Sequence, residues 1–257
     1  MRAWFATALL LAVRAVARTF WRVESRRVGE PPAGDPWRGI RVIALLNHTS
    51  LYEWVFAGVP PARFLAKLAR HGVLPVADVT ARRPIVGRFF KGLTAHVVPI
   101  SRQRDGTWRQ LLAKVDDPKR MVVIAPEGRM KRADGRDKDG KPMTVRAGIA
   151  DILLATPDGR MLLAYSAGLH HVQVPGQRFP NLFKPVRMQL ELVDVAAYRA
   201  RLLAEHGEPG LAAAVIADLT RRRDLYCHDW TAGARPALTA PSPPAPPTPR
   251  HSGRDRR

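Results

Sequence analysis

A histidine and a glutamate stand five positions apart, directly after a short apolar run of the chain. The run, residues 41–46, reads R-V-I-A-L-L, and it is followed by Asn47, His48 and then Glu53. A short run of branched side chains that ends at Asn is typical of a buried strand ending in a turn. A nearby carboxylate orients a histidine ring and stabilises its imidazolium, which predicts a general base. On this motif alone, a turn histidine and a surface glutamate are the competing interpretation.

Polar residues follow two other predicted strands in the same way. These strands are residues 96–100 (H-V-V-P-I) and residues 121–125 (M-V-V-I-A), and the groups that follow them include Arg102, Glu127 and Arg129. In open α/β sheets, ligands bind just outside the carboxyl ends of the strands. If the three strands share a sheet, a histidine base, a carboxylate and several cations meet at one edge. Such a set suits deprotonation of a hydroxyl on a molecule that also carries phosphate.

The pattern of apolar residues predicts an α/β fold. Strand-like runs occupy residues 41–46, 73–79, 96–100, 121–125, 161–166 and 186–193, and helical patterns occupy residues 85–93, 108–115, 144–155 and 196–223. Alternating strands and helices favour a mixed, largely parallel central sheet flanked by helices. Gly207 and Gly210 are expected to break the last helical pattern.

The charge of the chain favours an anionic partner. Its 257 residues include 42 Lys and Arg against 22 Asp and Glu, so the formal net charge is +20. Nucleic acid, an acidic membrane surface and phosphorylated substrates all fit this excess, and a general bias toward arginine accounts for part of it. No nucleic-acid-binding module is recognisable and the basic residues are dispersed, so no nucleic-acid partner is expected. Cys227 is the single cysteine, which fits a reducing compartment.

Composition divides the chain into four predicted segments. Residues 1–27 are predicted to form an amphipathic helix, residues 28–37 a Pro/Gly linker, residues 38–230 the main domain, and residues 231–257 a disordered Pro-rich basic tail. No apolar run reaches the roughly 20 residues of a membrane span.

The N-terminal segment has a basic pattern of its own. Arg14, Arg18, Arg22 and Arg26 recur every four residues, which places them on one side of a helix beside apolar and aromatic residues. This pattern favours a helix that lies in the interface of an anionic membrane. A helix packed on the domain is the second interpretation, and a cleaved signal peptide is the third.

Taken together, the motifs resemble the glycerolipid acyltransferase family, typified by 1-acyl-sn-glycerol-3-phosphate acyltransferase. The family's blocks N-H-x-x-x-x-D, F-x-A-K, D-R and P-E-G-[TS]-R correspond in order to residues 47–53, 64–67, 101–102 and 126–129. After the third block the family has a K-x-G-type helix start, which Arg146, Ala147 and Gly148 resemble. A fourth block has a loose counterpart in residues 162–166 or 172–175. The resemblance covers roughly residues 42–193 and implies the family's fold with an N-terminal amphipathic helix.

The resemblance implies acyl transfer without a covalent enzyme intermediate. His48 would take a proton from the acceptor hydroxyl, Glu53 would hold the ring, and Glu127 and Gly128 would shape the acceptor pocket. The residues implied to bind the acceptor's phosphate are Lys67, Arg102 and Arg129. Neither a metal nor a cofactor is implied, and acyl-CoA or acyl-carrier protein would be the co-substrate. The implied acceptor is a lysophospholipid such as 1-acylglycerol-3-phosphate, used at the cytoplasmic face of an anionic membrane by a peripheral or monotopic enzyme.

Several departures mark a divergent member. Glu53 stands in place of the family's Asp, Ser101 in place of an acidic residue, and His96 in place of a usual Gly. The third block reads E-G-R-M, so with a gap the family's arginine aligns with Lys131 or Arg132 instead. These changes leave two alternatives open: an acyltransferase for a non-phosphate acceptor, such as a lyso-aminolipid or glycolipid, and a catalytically inactive lipid-binding homologue.

Overall fold

The computed structural model describes residues 2–30, 33–101, 103–174 and 177–228. Within these ranges the strands are β1 (Arg22–Arg27), β2 (Ile40–Leu46), β3 (Gly72–Ala77), β4 (His96–Ile100), β5 (Met121–Ile124), β6 (Arg160–Ser166) and β7 (Pro185–Asp194). The α-helices are α1 (Arg2–Phe20), α2 (Ala62–His71), α3 (Asp78–Ala81), α4 (Pro84–Leu93), α5 (Gly106–Val115), α6 (Gly148–Leu154) and α7 (Val195–Tyr226). A 3₁₀ helix, Leu51–Gly58, follows β2. Two earlier predictions, the disordered tail over 231–257 and the ligand Arg102, lie outside the described residues.

The strands form one seven-stranded sheet in the order β1-β7-β6-β2-β5-β3-β4. Every neighbouring pair is parallel except β6 and β7, which run antiparallel. The central strand β2 is almost wholly buried, because helices cover both faces of a parallel sheet. The predicted mixed, largely parallel sheet with flanking helices is confirmed.

Helices pack on the two faces of the sheet in separate layers. α5, α6 and α7 cover one face over a core that includes Leu111, Ile152 and Leu219. On the other face, α1, α2, α4 and the 3₁₀ helix pack together through side chains such as Leu10 and Leu65. The predicted break in the last helix is present at Gly207, whose φ of 68° interrupts α7.

The N-terminal segment differs from the predicted helix over residues 1–27. Helix α1 ends at Phe20, and residues 22–27 form β1, which pairs with β7, so the sheet begins before the predicted linker. The predicted basic stripe is therefore wrong. Arg14 Nε donates to the Pro60 carbonyl at 3.1 Å and Arg18 Nη1 to the Gly58 carbonyl at 3.3 Å, so both arginines bind the domain. Sheet pairing overrides the helical spacing for the other two arginines.

Helix α1 is apolar both toward the domain and toward solvent. Its buried side chains are Ala6, Leu10, Val13 and Ala17, and its exposed large apolar side chains are Trp4, Phe5, Leu11, Val16 and Phe20. Contrary to the expectation that no apolar run is long enough for a membrane span, the window Ala3–Phe20 is long and apolar enough to cross a membrane, by length and composition alone. One side of α1 nevertheless packs along α2, α4 and the 3₁₀ helix.

Candidate active site

The turn after β2 is fixed on several sides. Asn47 has a φ of 66°, the left-handed conformation that asparagine tolerates better than most residues, and it turns the chain out of the strand. Its side-chain amide donates to the Ser166 carbonyl at 3.0 Å. Two residues later, the buried Thr49 hydroxyl accepts the Leu169 N–H at 2.8 Å. The turn is therefore tied to the end of β6 and to the loop that follows it.

His48 and Glu53 form a hydrogen-bonded pair in this turn. His48 Nδ1 lies 2.6 Å from Glu53 Oε2, and the Thr49 N–H donates to Glu53 Oε1 at 2.8 Å. Glu53 reaches this place because the 3₁₀ helix begins just before it, with Ser50 Oγ accepting the Tyr52 N–H at 3.1 Å as a cap. Both carboxylate oxygens are engaged, so the longer side chain of glutamate is accommodated.

The pairing selects a tautomer of the histidine. A carboxylate accepts a hydrogen bond, so Nδ1 carries the ring proton and Nε2 presents a lone pair. The side chains of His48 and Glu53 are 20% and 10% exposed, and both line a cavity beside the turn. This arrangement can remove a proton from a hydroxyl bound in the cavity.

Glu127 holds the backbone of the same turn. Its carboxylate, which is fully buried, accepts the His48 N–H at 2.8 Å and the Asn47 N–H at 3.3 Å. Arg223 of α7 lies 3.4 Å from Glu127 and also donates to the Met143 carbonyl at 2.9 Å. Two N–H groups and a guanidinium thus compensate a buried negative charge, which would otherwise be costly.

Lys131 closes the turn from another side. Its backbone N–H donates to the His48 carbonyl at 2.7 Å, and its ammonium group donates to Asn47 Oδ1 at 3.2 Å. The sequence identified Lys131 only as an alternative position for the family's arginine. In the structure it contacts the histidine turn itself, through both backbone and side chain.

A cavity of about 650 Å³ opens beside His48. Its volume is within the range of small-molecule sites in proteins. Much of its wall is apolar and comes from the sheet, the 3₁₀ helix, α2 and α4: Ile43, Leu45, Trp54, Phe56, Phe64, Leu65, Leu68, Phe90, Leu93 and Leu162. An apolar cavity with a histidine and several cations in its wall suits a molecule with a hydrocarbon chain and a polar head.

Of the residues that the structure describes, three arginines line the cavity: Arg104, Arg129 and Arg146. Arg104 pairs with Asp151 at 2.9 Å, and Arg129 pairs with Asp139 at 2.7 Å and with Asp137. The N–H of Lys141 and the neighbouring Arg129 lower the pKa of Asp137 to about 2, so its carboxylate is ionised at neutral pH.

Arg146 differs from the other two arginines. Its side chain is exposed, as that of Arg104 is, but among the described contacts it makes no ion pair, whereas Arg104 and Arg129 are both paired with carboxylates. Its backbone N–H donates to the Pro126 carbonyl at 2.9 Å, which ties it to the third block. The sequence noted this position only as a counterpart of the family's K-x-G helix start, the one signal that points to it.

The remaining predicted site residues are placed differently. Gly128 lines the cavity at a φ of 69°, a left-handed conformation that glycine adopts without strain. Lys67 is exposed on α2 and is not part of the cavity wall, whereas Phe64, Leu65 and Leu68 of the same helix are. A helix rotates by about 100° per residue, which carries Lys67 off that face. The structure therefore does not bring Lys67 to the predicted acceptor site.

Neither the thiol of Cys227 nor a cluster of metal ligands provides an alternative chemistry in the described part of the site. Burial, with the Glu127 carboxylate nearby, raises the pKa of the Cys227 thiol, which disfavours the thiolate that a covalent mechanism needs. In the described part of the chain, no three His, Cys, Asp or Glu side chains lie together as metal ligands.

Comparisons with known proteins bear on the family and the fold. A family model described as Acyltransferase matches residues 30–167, more than half of the chain. No curated protein matches the chain. A crystal structure of PlsC from Thermotoga maritima, a 1-acyl-sn-glycerophosphate (LPA) acyltransferase, has a similar fold, with a TM-score of 0.50 and 17% identity over 86% of this chain and 81% of that one.

Proposed function

We infer from its site that this chain, which belongs to the acyltransferase family, moves a fatty acyl group from a thioester donor to the free hydroxyl of a lysophospholipid such as 1-acylglycerol-3-phosphate. The donor is acyl-CoA or acyl-carrier protein. The observation that carries this proposal is the hydrogen-bonded pair of His48 and Glu53 in the wall of a largely apolar cavity. The cavity takes the hydrocarbon chain, and the pair acts on the hydroxyl.

The reaction follows from the tautomer of His48. Nε2 accepts the proton of the acceptor hydroxyl, and Glu53 stabilises the imidazolium through Nδ1. The acceptor oxygen attacks the thioester carbonyl, the C–S bond breaks, and the thiolate leaves with the proton from Nε2. A general base contributes typically about 10²–10⁴-fold, and positioning of the two substrates contributes most of the rest.

The acceptor's phosphate is assigned to the cationic part of the cavity. Arg146 and Arg104 are both exposed in that wall, and Arg146 makes no ion pair among the described contacts, whereas Arg104 pairs with Asp151. Arg129 would bind phosphate only in competition with Asp137 and Asp139. Arg102 lies outside the described residues, so its role as a phosphate ligand stays a prediction.

Helix α1 is assigned to the membrane. Its exposed apolar face would lie in the bilayer interface while its other face stays packed on the domain. The enzyme would then be peripheral or monotopic, at the cytoplasmic face of a membrane with anionic lipids. Such a position gives the cavity access to an acceptor that resides in the bilayer.

A second candidate is acylation of a non-phosphate acceptor, such as a lyso-aminolipid or glycolipid. The pairing of Arg129 with two carboxylates favours it, because this pairing neutralises the cation of the third block. Arg146 favours the phosphate acceptor, and we therefore place the lysophospholipid first.

Turnover with a matched panel of acceptors tests both candidates. Lysophosphatidic acid, a lyso-aminolipid and a monoacylated glycolipid are each offered with acyl-CoA and with acyl-carrier protein. We expect thioester consumption to be highest with the phosphate acceptor and to be lost in His48→Ala. His206→Ala, which removes an exposed histidine of α7, is the matched control and should retain activity. Undiminished turnover in His48→Ala would reject the mechanism.

A further inference from the structure

The loop between β6 and β7 carries aromatic side chains into solvent. Its large exposed apolar side chains include Phe179, Leu182 and Phe183, which are 69%, 42% and 65% exposed. We refer to residues 177–184 as the 177–184 loop. Arg178 and Lys184 flank its aromatic side chains, and residues 172–184 include no Asp or Glu. An exposed apolar patch with only basic charges around it fits a surface that is both apolar and anionic.

The loop is attached to the end of α1. The Phe183 N–H donates to the Phe20 carbonyl at 2.7 Å, and Trp21 Nε1 donates to the Asn181 carbonyl at 3.0 Å. The rings of Phe20 and Phe183 lie 6.3 Å apart between centroids. These contacts hold the exposed aromatic side chains at a fixed place beside the last turn of the helix.

Phe183 has an unfavourable backbone conformation. Its φ of 58° lies in the left-handed region, which bulky side chains adopt rarely and asparagine or glycine adopt more easily. Its side chain is largely exposed, so burial within the chain does not compensate this strain. A strained residue that packs little within its own molecule points to a role outside it.

The patch is continuous with the exposed face of α1. Phe20 belongs to both surfaces, because it is exposed on the helix and lies next to Phe183. Val16 and Phe5, which lie on the same side of the helix as Phe20, continue the apolar face toward the start of the helix. A helix and a rigid loop at one of its ends define a plane, whereas a helix alone leaves the rotation of the domain about the helix axis open.

We propose that the 177–184 loop inserts into the interface of an anionic phospholipid bilayer and, with α1, fixes the orientation of the domain on the membrane. Phe179 and Phe183 enter the acyl boundary, and Arg178 and Lys184 contact anionic headgroups. The inference rests on the membrane contact of the proposed function, and it adds a second attachment point outside the N-terminal helix.

Sedimentation with vesicles tests the insertion. The full chain is mixed with vesicles of phosphatidylglycerol and phosphatidylcholine, and affinity is compared between wild type, Phe179→Ser, Phe183→Asn and the double variant. We expect the double variant to lose about tenfold or more in affinity, because two aromatic side chains no longer leave water. Leu225→Ser, an exposed apolar residue of α7 on the opposite face of the sheet, should bind as wild type does.

Thermal unfolding separates this role from a structural one. Phe183→Asn relieves the left-handed strain, so we expect its Tm to equal or exceed that of wild type while its vesicle affinity falls. A lower Tm with unchanged vesicle affinity would overturn the proposal. Wild-type self-association in lipid-free buffer that Phe183→Asn abolishes would also overturn it, because the patch would then bind a second copy of the chain.

Vesicles of different headgroup charge provide a further test of the proposal. Arg178→Gln with Lys184→Gln should weaken binding to phosphatidylglycerol vesicles and leave binding to pure phosphatidylcholine vesicles unchanged. If the proposed function is wrong and this inference is right, wild type lacks turnover. Wild type and His48→Ala then bind vesicles equally, and the loop variants bind them less.

Discussion

The backbone N–H of His48 donates to Glu127 Oε2 at 2.8 Å, while Glu53 holds the ring of the same histidine through Nδ1. Two carboxylates from different elements thus fix one side chain, one through its backbone and one through its imidazole. Glu127 is in turn held by Arg223, which lies on α7, outside the segment matched by the family model. The position of the proposed base therefore depends on the C-terminal helix.

Removal of Arg223 should destabilise the fold and lower kcat. In Arg223→Leu the buried Glu127 carboxylate loses its only described guanidinium partner, which costs about 3 kcal/mol when a buried pair is broken. The turn that carries His48 should then become less well positioned, so kcat should fall more than the acceptor KM rises. Urea unfolding and steady-state kinetics measure the two effects.

Two variants control this prediction. Arg221→Leu removes an exposed arginine two positions earlier. Its partner Asp218 is buried but keeps the hydrogen bonds from Arg222 and Tyr198, so the loss should be less than about 1 kcal/mol. Arg223→Lys keeps the charge and should recover part of both losses. Equal effects of Arg221→Leu and Arg223→Leu would remove the special role of the contact with Glu127.

The length of the carboxylate side chain at position 53 should matter less than its presence. Glu53→Asp keeps an acceptor for His48 Nδ1 and should retain appreciable kcat. Glu53→Ala removes both the orientation of the ring and the stabilisation of the imidazolium, and should lower kcat by about 10² or more. Acyl transfer at saturating substrates, with circular dichroism to verify folding, measures the difference. Equal activity of Glu53→Asp, Glu53→Ala and wild type would exclude Glu53 from the mechanism.

His96 should make the fold less stable below neutral pH. Burial, with Arg120 beside it, lowers the pKa of His96 below its ordinary 6.5. Arg120 can only donate, so the hydrogen bond to His96 Nε2 requires a neutral ring. As pH falls below 6.5, the unfolded chain binds a proton at His96 before the folded chain does, so the free energy of unfolding decreases.

Chemical unfolding between about pH 7.5 and 5 measures this dependence. His96→Gln retains a neutral acceptor for Arg120 and should flatten the slope. Part of the slope should remain, because burial and Arg120 also lower the pKa of His71. A slope that is the same in wild type and His96→Gln would contradict the assignment.

Local patterns in the sequence predicted the strands and the turn well. The apolar run before Asn47 and the order of the blocks were enough to predict β2, the largely parallel sheet and the place of His48 and Glu53. The structure agrees because a buried parallel strand and a turn at its end depend mainly on neighbouring residues.

Contacts between distant residues were not predictable from the sequence. The spacing of Arg22 and Arg26 fits a helix, but pairing with β7, more than 150 residues later, makes a strand of this segment. Arg223 carries no local signal, since its partner Glu127 is 96 positions away. The same limit applies to Lys67, whose match to a motif says nothing about which face of α2 it occupies.

Arg146, rather than Lys67, should bind the acceptor's phosphate. Arg146 lines the cavity and is exposed toward it, whereas Lys67 lies off the cavity wall. A hydrogen bond to a charged group is worth about 1.5–3 kcal/mol, so Arg146→Ala should raise the KM for a phosphate acceptor about tenfold or more. Lys67→Ala should change it by less than about twofold, because an exposed surface charge contributes little.

The acceptor panel separates phosphate binding from general damage to the site. With an acceptor that lacks phosphate, KM should be the same in wild type and Arg146→Ala, because the lost interaction was never made. If Arg146→Ala instead raises KM equally for both acceptors, the arginine shapes the cavity but does not bind the phosphate. A large effect of Lys67→Ala with none in Arg146→Ala would show that α2 rotates toward the cavity when the acceptor binds, and the family's motif would then outweigh the position of Lys67 on the helix.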